Sequence, residues 1–183
     1  MKNFFLSNRF IVRRILFKIH LGGEQLNVQH FEWVVKTYSS MLLRIAFLYL
    51  KNTTEAEDIT QEVLLTYWQK EPELPTEAAR KSWLYKTASN RCKDHLRSHW
   101  FRKRVEFPEN LSYLPPEDSE LLDAMLKLDE KYRIPLHLHY YENYSLKEIG
   151  SILGLSPATV GTQIHRGKER LKIMLGGNHY EGL

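Results

Sequence analysis

An all-α fold made of two small helical domains is predicted by three features of the chain. No stretch sustains the apolar–polar alternation of a strand, apolar residues recur at three- and four-residue spacing, and a proline-containing acidic segment separates two helical regions. The 183 residues suit one medium domain or two small ones. Hydrophobic content of 43% and charged content of 26% exclude a wholly disordered, collagen-like or coiled-coil chain. No run of about 18 apolar residues is present, so no helical membrane span is expected. The single cysteine, Cys92, excludes an internal disulfide and a Cys-rich zinc site, so a reducing, cytoplasmic compartment is expected.

Residues 1–25 form a basic extension whose core, Arg9-Phe10-Ile11-Val12-Arg13-Arg14-Ile15-Leu16-Phe17-Lys18, is amphipathic but lacks the uninterrupted apolar stretch of a signal peptide. It suits a membrane surface. A second reading leaves it untranslated: Gly22-Gly23-Glu24 is compatible with a purine-rich ribosome-binding sequence, and Leu26 follows at the spacing of a TTG start.

The first domain is expected over residues 26–104 as three helices. From Phe31 to Leu50, Trp33, Val34, Tyr38, Leu42, Ile45, Ala46 and Tyr49 recur as a buried helical face. Thr53 or Thr54 can cap the next helix, with Glu55, Glu57 and Asp58 in its positive-ended first turns, and it runs to about Lys70. Pro72 and Pro75 stop it, Thr76 can cap the third, and that helix is expected over Glu77 to Arg104 with a break allowed near Asn90. Residues 105–119, with Pro108, Pro115 and Pro116, read as a flexible acidic linker reaching at most about 50 Å.

The second domain is expected over residues 120–176, with a tail at 177–183, and begins with Leu121, Leu122, Met125 and Leu128 on one stripe. Four helices are expected to about Leu175. Ser145-Leu146-Lys147-Glu148 is a capping box that starts one of them, and Gly154 supplies the left-handed residue that ends it. Ser156 then caps and Pro157 occupies the first position of the next. The pair forms a helix-turn-helix wedged by Ile149, Ile152, Leu153, Leu155, Val160 and Ile164, and the second helix is the one expected to enter a groove.

Charge is segregated along the chain. Lys and Arg against Asp and Glu number 5 to 1 over residues 1–30, 4 to 8 over 31–79, 9 to 1 over 80–104, 1 to 8 over 105–130, and 7 to 4 over 131–183. Nine cations in 25 positions are a footprint for a polyanion, and the acidic block that follows repels the same partner.

Several blocks carry a resemblance. They are Ala56-Glu57-Asp58-Ile59-Thr60-Gln61-Glu62-Val63, Ser82-Trp83-Leu84-Tyr85-Lys86-Thr87-Ala88-Ser89-Asn90, Leu128-Asp129-Glu130-Lys131-Tyr132-Arg133, Tyr140-Tyr141-Glu142-Asn143-Tyr144-Ser145 and His165-Arg166-Gly167-Lys168-Glu169-Arg170-Leu171. In order and spacing they resemble the extracytoplasmic-function group of bacterial sigma-70 factors, from about Phe31 to Leu175. The resemblance implies region 2-like and region 4-like domains, no enzymatic activity, no cofactor and no small-molecule substrate. It implies as partners core RNA polymerase through its clamp and flap regions, promoter DNA, and an anti-sigma factor.

Residue roles follow from the resemblance. Asp58, Gln61 and Glu62 are implied to face the polymerase clamp, where an acidic stripe suits a basic surface. Arg80, Lys81, Lys86, Arg91, Lys93 and Arg97 are implied to follow promoter phosphates near the minus-10 element. Asn90 matches the loop position that receives a flipped base, with Trp83 or Tyr85 offering a stacking face. At the minus-35 element the available side chains are Ser156, Thr159, Thr162, Gln163, Arg166 and Lys168. Relatives commonly carry Lys or Arg where this chain has Gly161 and Gln163, so minus-35 recognition is expected to be weaker or different. Gly161 and Gly167 each cost about 1 kcal/mol of helix propensity relative to Ala.

Plainer readings stand beside these. Trp68, Tyr140 and Tyr141 are expected in the core, Trp83 is balanced between core and base platform, and Asn90 can instead cap a helix. Cys92, His95 and His99 fall at i, i+3 and i+7, but three ligands without carboxylate support do not make a zinc site. No Ser-His-Asp set, phosphate loop or HExxH pattern occurs. The alternative function is a stand-alone helix-turn-helix regulator, which leaves the acidic helix and the basic block without roles.

Overall fold

The computed structural model describes residues 25–70, 72–100 and 119–176. The basic extension, the linker, residues 101–104 and the tail lie outside the described residues, as do the readings that fall on them. All regular structure among the described residues is helical. The chain divides into two units, one within Met1–Tyr113 and one within Leu114–Leu183.

In the first unit α1 spans Gln25–Leu50, α2 Thr53–Lys70 and α3 Glu77–Trp100. Helix α1 begins six residues before the expected Phe31. Its polar first turns carry no apolar period, and they are held by a stack of the His30 ring 5.8 Å from Trp33 on the same helix and by a tertiary contact, His30 Nε2 3.3 Å from the Tyr67 hydroxyl. The expected apolar face is buried except at Trp33, which is 43% exposed.

Lys51 turns the chain with φ +54°, and Asn52, rather than Thr53 or Thr54, caps α2 by accepting the Glu55 N–H at 3.1 Å. Asn is among the strongest N-caps, and the left-handed residue before it brings the helix start forward. Thr76 caps α3 as expected, accepting from the Ala79 N–H at 3.1 Å. No break occurs at Asn90, which rules out a capping role for that side chain. Val34, Val35, Leu42, Ile45, Ala56, Val63, Leu64, Leu84 and Ala88 close the core between the three helices.

In the second unit α4 spans Ser119–Lys127, α5 Glu130–Leu136, α6 Leu146–Leu153 and α7 Pro157–Met174. Leu122 and Leu128 are buried, whereas Leu121 and Met125 are half-buried. Arg133 is 2% exposed, and its Nη1 donates to the carbonyls of Leu126 at 3.2 Å and Leu128 at 2.6 Å. That guanidinium ties the carbonyl end of α4 and the residue just after it to α5.

Helix α5 contains Pro135, which has no N–H to give the preceding turn, and it continues as a π-helical turn over His137–Tyr141. The wider turn changes the phase of the helix. Residues 132–138 are buried all round, but Tyr140 and Tyr141 emerge 42% and 53% exposed, contrary to their expected place in the core.

The capping box forms fully. The Ser145 hydroxyl accepts the Glu148 N–H at 3.3 Å, and the Glu148 carboxylate accepts the Ser145 N–H at 2.9 Å. Gly154 ends α6 with φ +72°. Close approach surrounds Gly167: a Cβ there would lie 2.7 Å from a methyl of Leu136 and 3.1 Å from the Tyr132 Cβ, so an added side chain would force α5 and α7 to adjust. The wedge is buried except at Leu155, which is half-buried.

Candidate nucleic-acid interface

The buried stripe of α2 runs through Ala56, Ile59, Thr60, Val63, Leu64 and Tyr67. At about 100° per residue, Asp58, Gln61 and Glu62 fall together on the opposite side. Asp58 and Glu62 are exposed and Gln61 is half-buried. The three residues assigned to one partner therefore share one solvent face.

Helix α3 divides its cations. Lys86, Asn90, Lys93 and Arg97 recur at i, i+4, i+7 and i+11, which places them within about 60° of one another. Lys86, Asn90 and Arg97 are exposed and Lys93 is half-buried. Arg97 lies 3.2 Å from Asp94, a neighbour on the same surface. This stripe is cationic with one amide in its middle, on a helix rather than in the expected loop.

Arg80 and Arg91 lie about 120° away from the stripe and turn toward α2. Arg80 Nε donates to the Tyr67 hydroxyl at 3.1 Å, and its guanidinium sits 5.3 Å from the centre of the Trp33 ring. Partial desolvation opposes its charge, but the hydroxyls of Tyr67 and Tyr38 outweigh that effect and move its pKa upward. Arg91 lies 3.8 Å from Glu62 and donates to the Thr66 hydroxyl at 3.5 Å. Lys81 is half-buried.

The two aromatics separate. Tyr85 is fully buried and cannot offer a face to a base, a correction that follows from its place beside Leu84 on the core side of α3. Trp83 is half-buried, with its ring 5.8 Å from Tyr67 in an edge-on arrangement. Trp68, expected in the core, is half-buried and packs 5.0 Å from Phe31. Cys92 is buried, and His95 faces Glu55 at 3.3 Å.

On α7 the buried stripe is Val160, Ile164, Gly167 and Leu171. Thr159, Thr162 and Arg166 are exposed within about 60° on the far side. Ser156 holds the helix start, accepting the Thr159 N–H at 3.1 Å. Gln163 lies about 40° beyond Thr159 at one edge of that arc, and Lys168 about 120° beyond Thr162 on the other side of α7. The Gln163 Oε1 is enclosed without a hydrogen-bond donor among the described residues, and the Lys168 ammonium lies 6.0 Å from the Tyr140 ring centre. His165 is exposed beside Thr162 and Arg166 and was missed in the sequence reading, although its spacing of three from Thr162 was visible. Gly161 leaves space on its flank, where an added Cβ would make contact with Leu146 at 3.4 Å.

No helix among the described residues is long and apolar enough to cross a membrane. The family model for sigma-70 region 2 matches residues 34–102, and that for sigma-70 region 4 matches residues 118–171. The chain is 30% identical over 162 residues to the ECF RNA polymerase sigma factor SigW of Bacillus subtilis, covering 78% of this chain and 87% of that protein. It is 29% identical over 152 residues to the ECF RNA polymerase sigma factor SigL of Mycobacterium tuberculosis, covering 75% and 84%. Among solved structures it is similar in fold to the sigma factor RpoE of Bartonella quintana, crystallised with the anti-sigma factor NepR. That likeness has a TM-score of 0.66 and 19% identity, covering 82% of this chain and 99% of that one. It is also similar in fold to CnrH in complex with the cytosolic domain of CnrY, with a TM-score of 0.59 and 18% identity, covering 94% and 99%.

Proposed function

We infer the workings of this chain from one premise: it belongs to the extracytoplasmic-function group of sigma-70 RNA polymerase sigma factors. It is a promoter-specificity subunit without enzymatic activity of its own, which binds core RNA polymerase and directs promoter recognition and transcription initiation. The observation that carries the residue-level reading is the separation of charge within one three-helix unit. Asp58, Gln61 and Glu62 share the solvent face of α2, while Lys86, Asn90, Lys93 and Arg97 share a stripe of α3.

In this reading the acidic face of α2 meets the basic clamp of polymerase. The α3 stripe follows the phosphates of the minus-10 region, and Asn90, exposed amid three cations, meets a flipped base with its amide. Arg80 and Tyr85 leave the list of DNA contacts and support the unit from within. On α7, Thr159, Thr162 and Arg166 face the major groove of the minus-35 element, joined by His165. Gln163 flanks this surface, and Lys168 lies farther round α7 beside Tyr140. The linker at 105–119 passes through polymerase, so residues 26–104 and 120–176 reach the two elements at once. An anti-sigma factor holds the protein inactive, and the protein works in the cytoplasm with its polymerase.

Run-off transcription tests the reading. Purified protein is added to bacterial core polymerase with fragments of the source genome as templates. Specific transcripts that need the added protein are expected. Failure to bind core, with or without residues 1–25, combined with dimeric binding to duplex half-sites, would move the chain to the stand-alone regulators.

A further inference from the structure

We propose that Glu62 and Arg91 form an exchangeable contact that couples polymerase binding to promoter binding; the inference rests on the polymerase-facing and DNA-facing roles given above. Arg91 Nη1 lies 3.8 Å from Glu62 Oε2 across the α2–α3 interface. Its Nη2 donates at 3.5 Å to the Thr66 hydroxyl, which itself donates at 2.7 Å to the Glu62 carbonyl. One residue of the acidic face thus pairs with one cation of the basic block, whose place on α3 lies about 120° round the helix from the Lys86–Arg97 stripe.

Both side chains are about half exposed, 47% for Arg91 and 53% for Glu62. That exposure makes the pair weak enough to exchange, whereas a buried pair would resist opening. A basic surface arriving on α2 competes for the Glu62 carboxylate. Arg91 is then released toward DNA phosphates, and by reciprocity DNA that recruits Arg91 frees Glu62 for polymerase. For an exposed pair the coupling amounts to about two- to fivefold in each affinity. Glu62 is on this account a positioning residue for a DNA contact as well as a polymerase contact, and the chain alone presents one cation fewer to DNA than the holoenzyme does.

The test is a double-mutant cycle on core affinity in the full chain, using wild type, Arg91→Gln, Glu62→Gln and the double variant. Lys86→Gln serves as a control that removes one cation from the same helix without touching Glu62. Arg91→Gln is expected to tighten core binding about two- to fivefold, more than Lys86→Gln does, and to change nothing in the Glu62→Gln background. The excess over the control should shrink at high salt. With fork-junction DNA, Arg91→Gln should weaken the holoenzyme more than it weakens the free chain. An Arg91→Gln effect equal to that of Lys86→Gln, or one that persists without Glu62, overturns the coupling. Those outcomes leave the sigma-factor reading intact, because that reading fails only if the wild-type chain does not bind core or start transcripts.

Discussion

Six cations of the 80–104 block look equivalent in the sequence, but they differ in where they point, and their salt dependence should differ accordingly. Replacing Lys86, Lys93 and Arg97 together with Gln removes the three cations of the α3 stripe. Each phosphate neutralised contributes about 0.7 to the log–log salt slope on single-stranded DNA and about 0.9 on duplex, so the triple variant should lose about 2 to 3 from the slope. Between 50 and 200 mM salt, wild-type holoenzyme should therefore lose about 20- to 40-fold more affinity than the triple variant does. Arg80→Gln should leave the slope unchanged, because its guanidinium is committed to Tyr67 and Trp33. It should instead lower the stability of the first unit by about 1 to 2 kcal/mol, the worth of a charged hydrogen bond discounted for partial exposure. Fluorescence anisotropy of holoenzyme on fork-junction DNA across a salt series reads the slopes, and chemical denaturation reads the stability. Equal slope losses for Arg80→Gln and for a single stripe variant would refute the division of the block.

Other consequences are open to direct test. Asp58→Lys with Glu62→Lys should abolish core binding by gel filtration, whereas Asn90→Ala should keep core binding and impair promoter opening by permanganate footprinting. A Cβ at Gly150 would lie 2.6 Å from the Leu155 carbonyl oxygen, so Gly150→Ala should destabilise the second unit by about 1 to 3 kcal/mol, while Gly161→Ala should be neutral or stabilising in thermal unfolding. The Glu148 carboxyl is held below its ordinary pKa by hydrogen bonds from the Ser145 hydroxyl and backbone. Its stabilising effect is present above the usual carboxylate pKa of about 4.3 and is lost as pH falls through the lower folded value. Glu148→Gln should remove that part of the acid destabilisation, measured by denaturation at pH 3 to 6. Arg133→Met should cost the second unit about 2 to 4 kcal/mol in urea unfolding, because one α4 carbonyl and the Leu128 carbonyl just after it lose a buried charged donor.

Local chemistry made much of this molecule legible before any tertiary contact was known. Ser145 and Glu148, Gly154, Ser156 and Pro157 act through neighbours within five residues, so the helix-turn-helix could be read from spacing alone. The acidic face of α2 likewise follows from helical periodicity, whereas the six cations of α3 form one group in the sequence and the stripe is not separated there. Residue type is a weaker guide than spacing: Tyr140 and Tyr141 are expected in the core because aromatic side chains are usually buried, but they reach solvent at the end of the π-helical turn that follows Pro135.

By itself the sequence determined an all-helical chain of two modules, the caps at Thr76, Ser145 and Ser156, the segregation of charge and the family blocks. Tertiary structure alone decided which members of each charged or aromatic group face solvent. Arg80 and Arg91 are long cations on a basic helix like their neighbours, yet Arg80 is committed to Tyr67 and Trp33 and the exposed Arg91 is paired with Glu62, partners that arrive from helices far away in sequence. Tyr85 and Trp83 stand two residues apart in one motif, and packing between helices buries the first completely and leaves the second at an edge. Spacing along the chain sets the angle of a side chain about its own helix, but only the neighbouring helices determine what that angle meets.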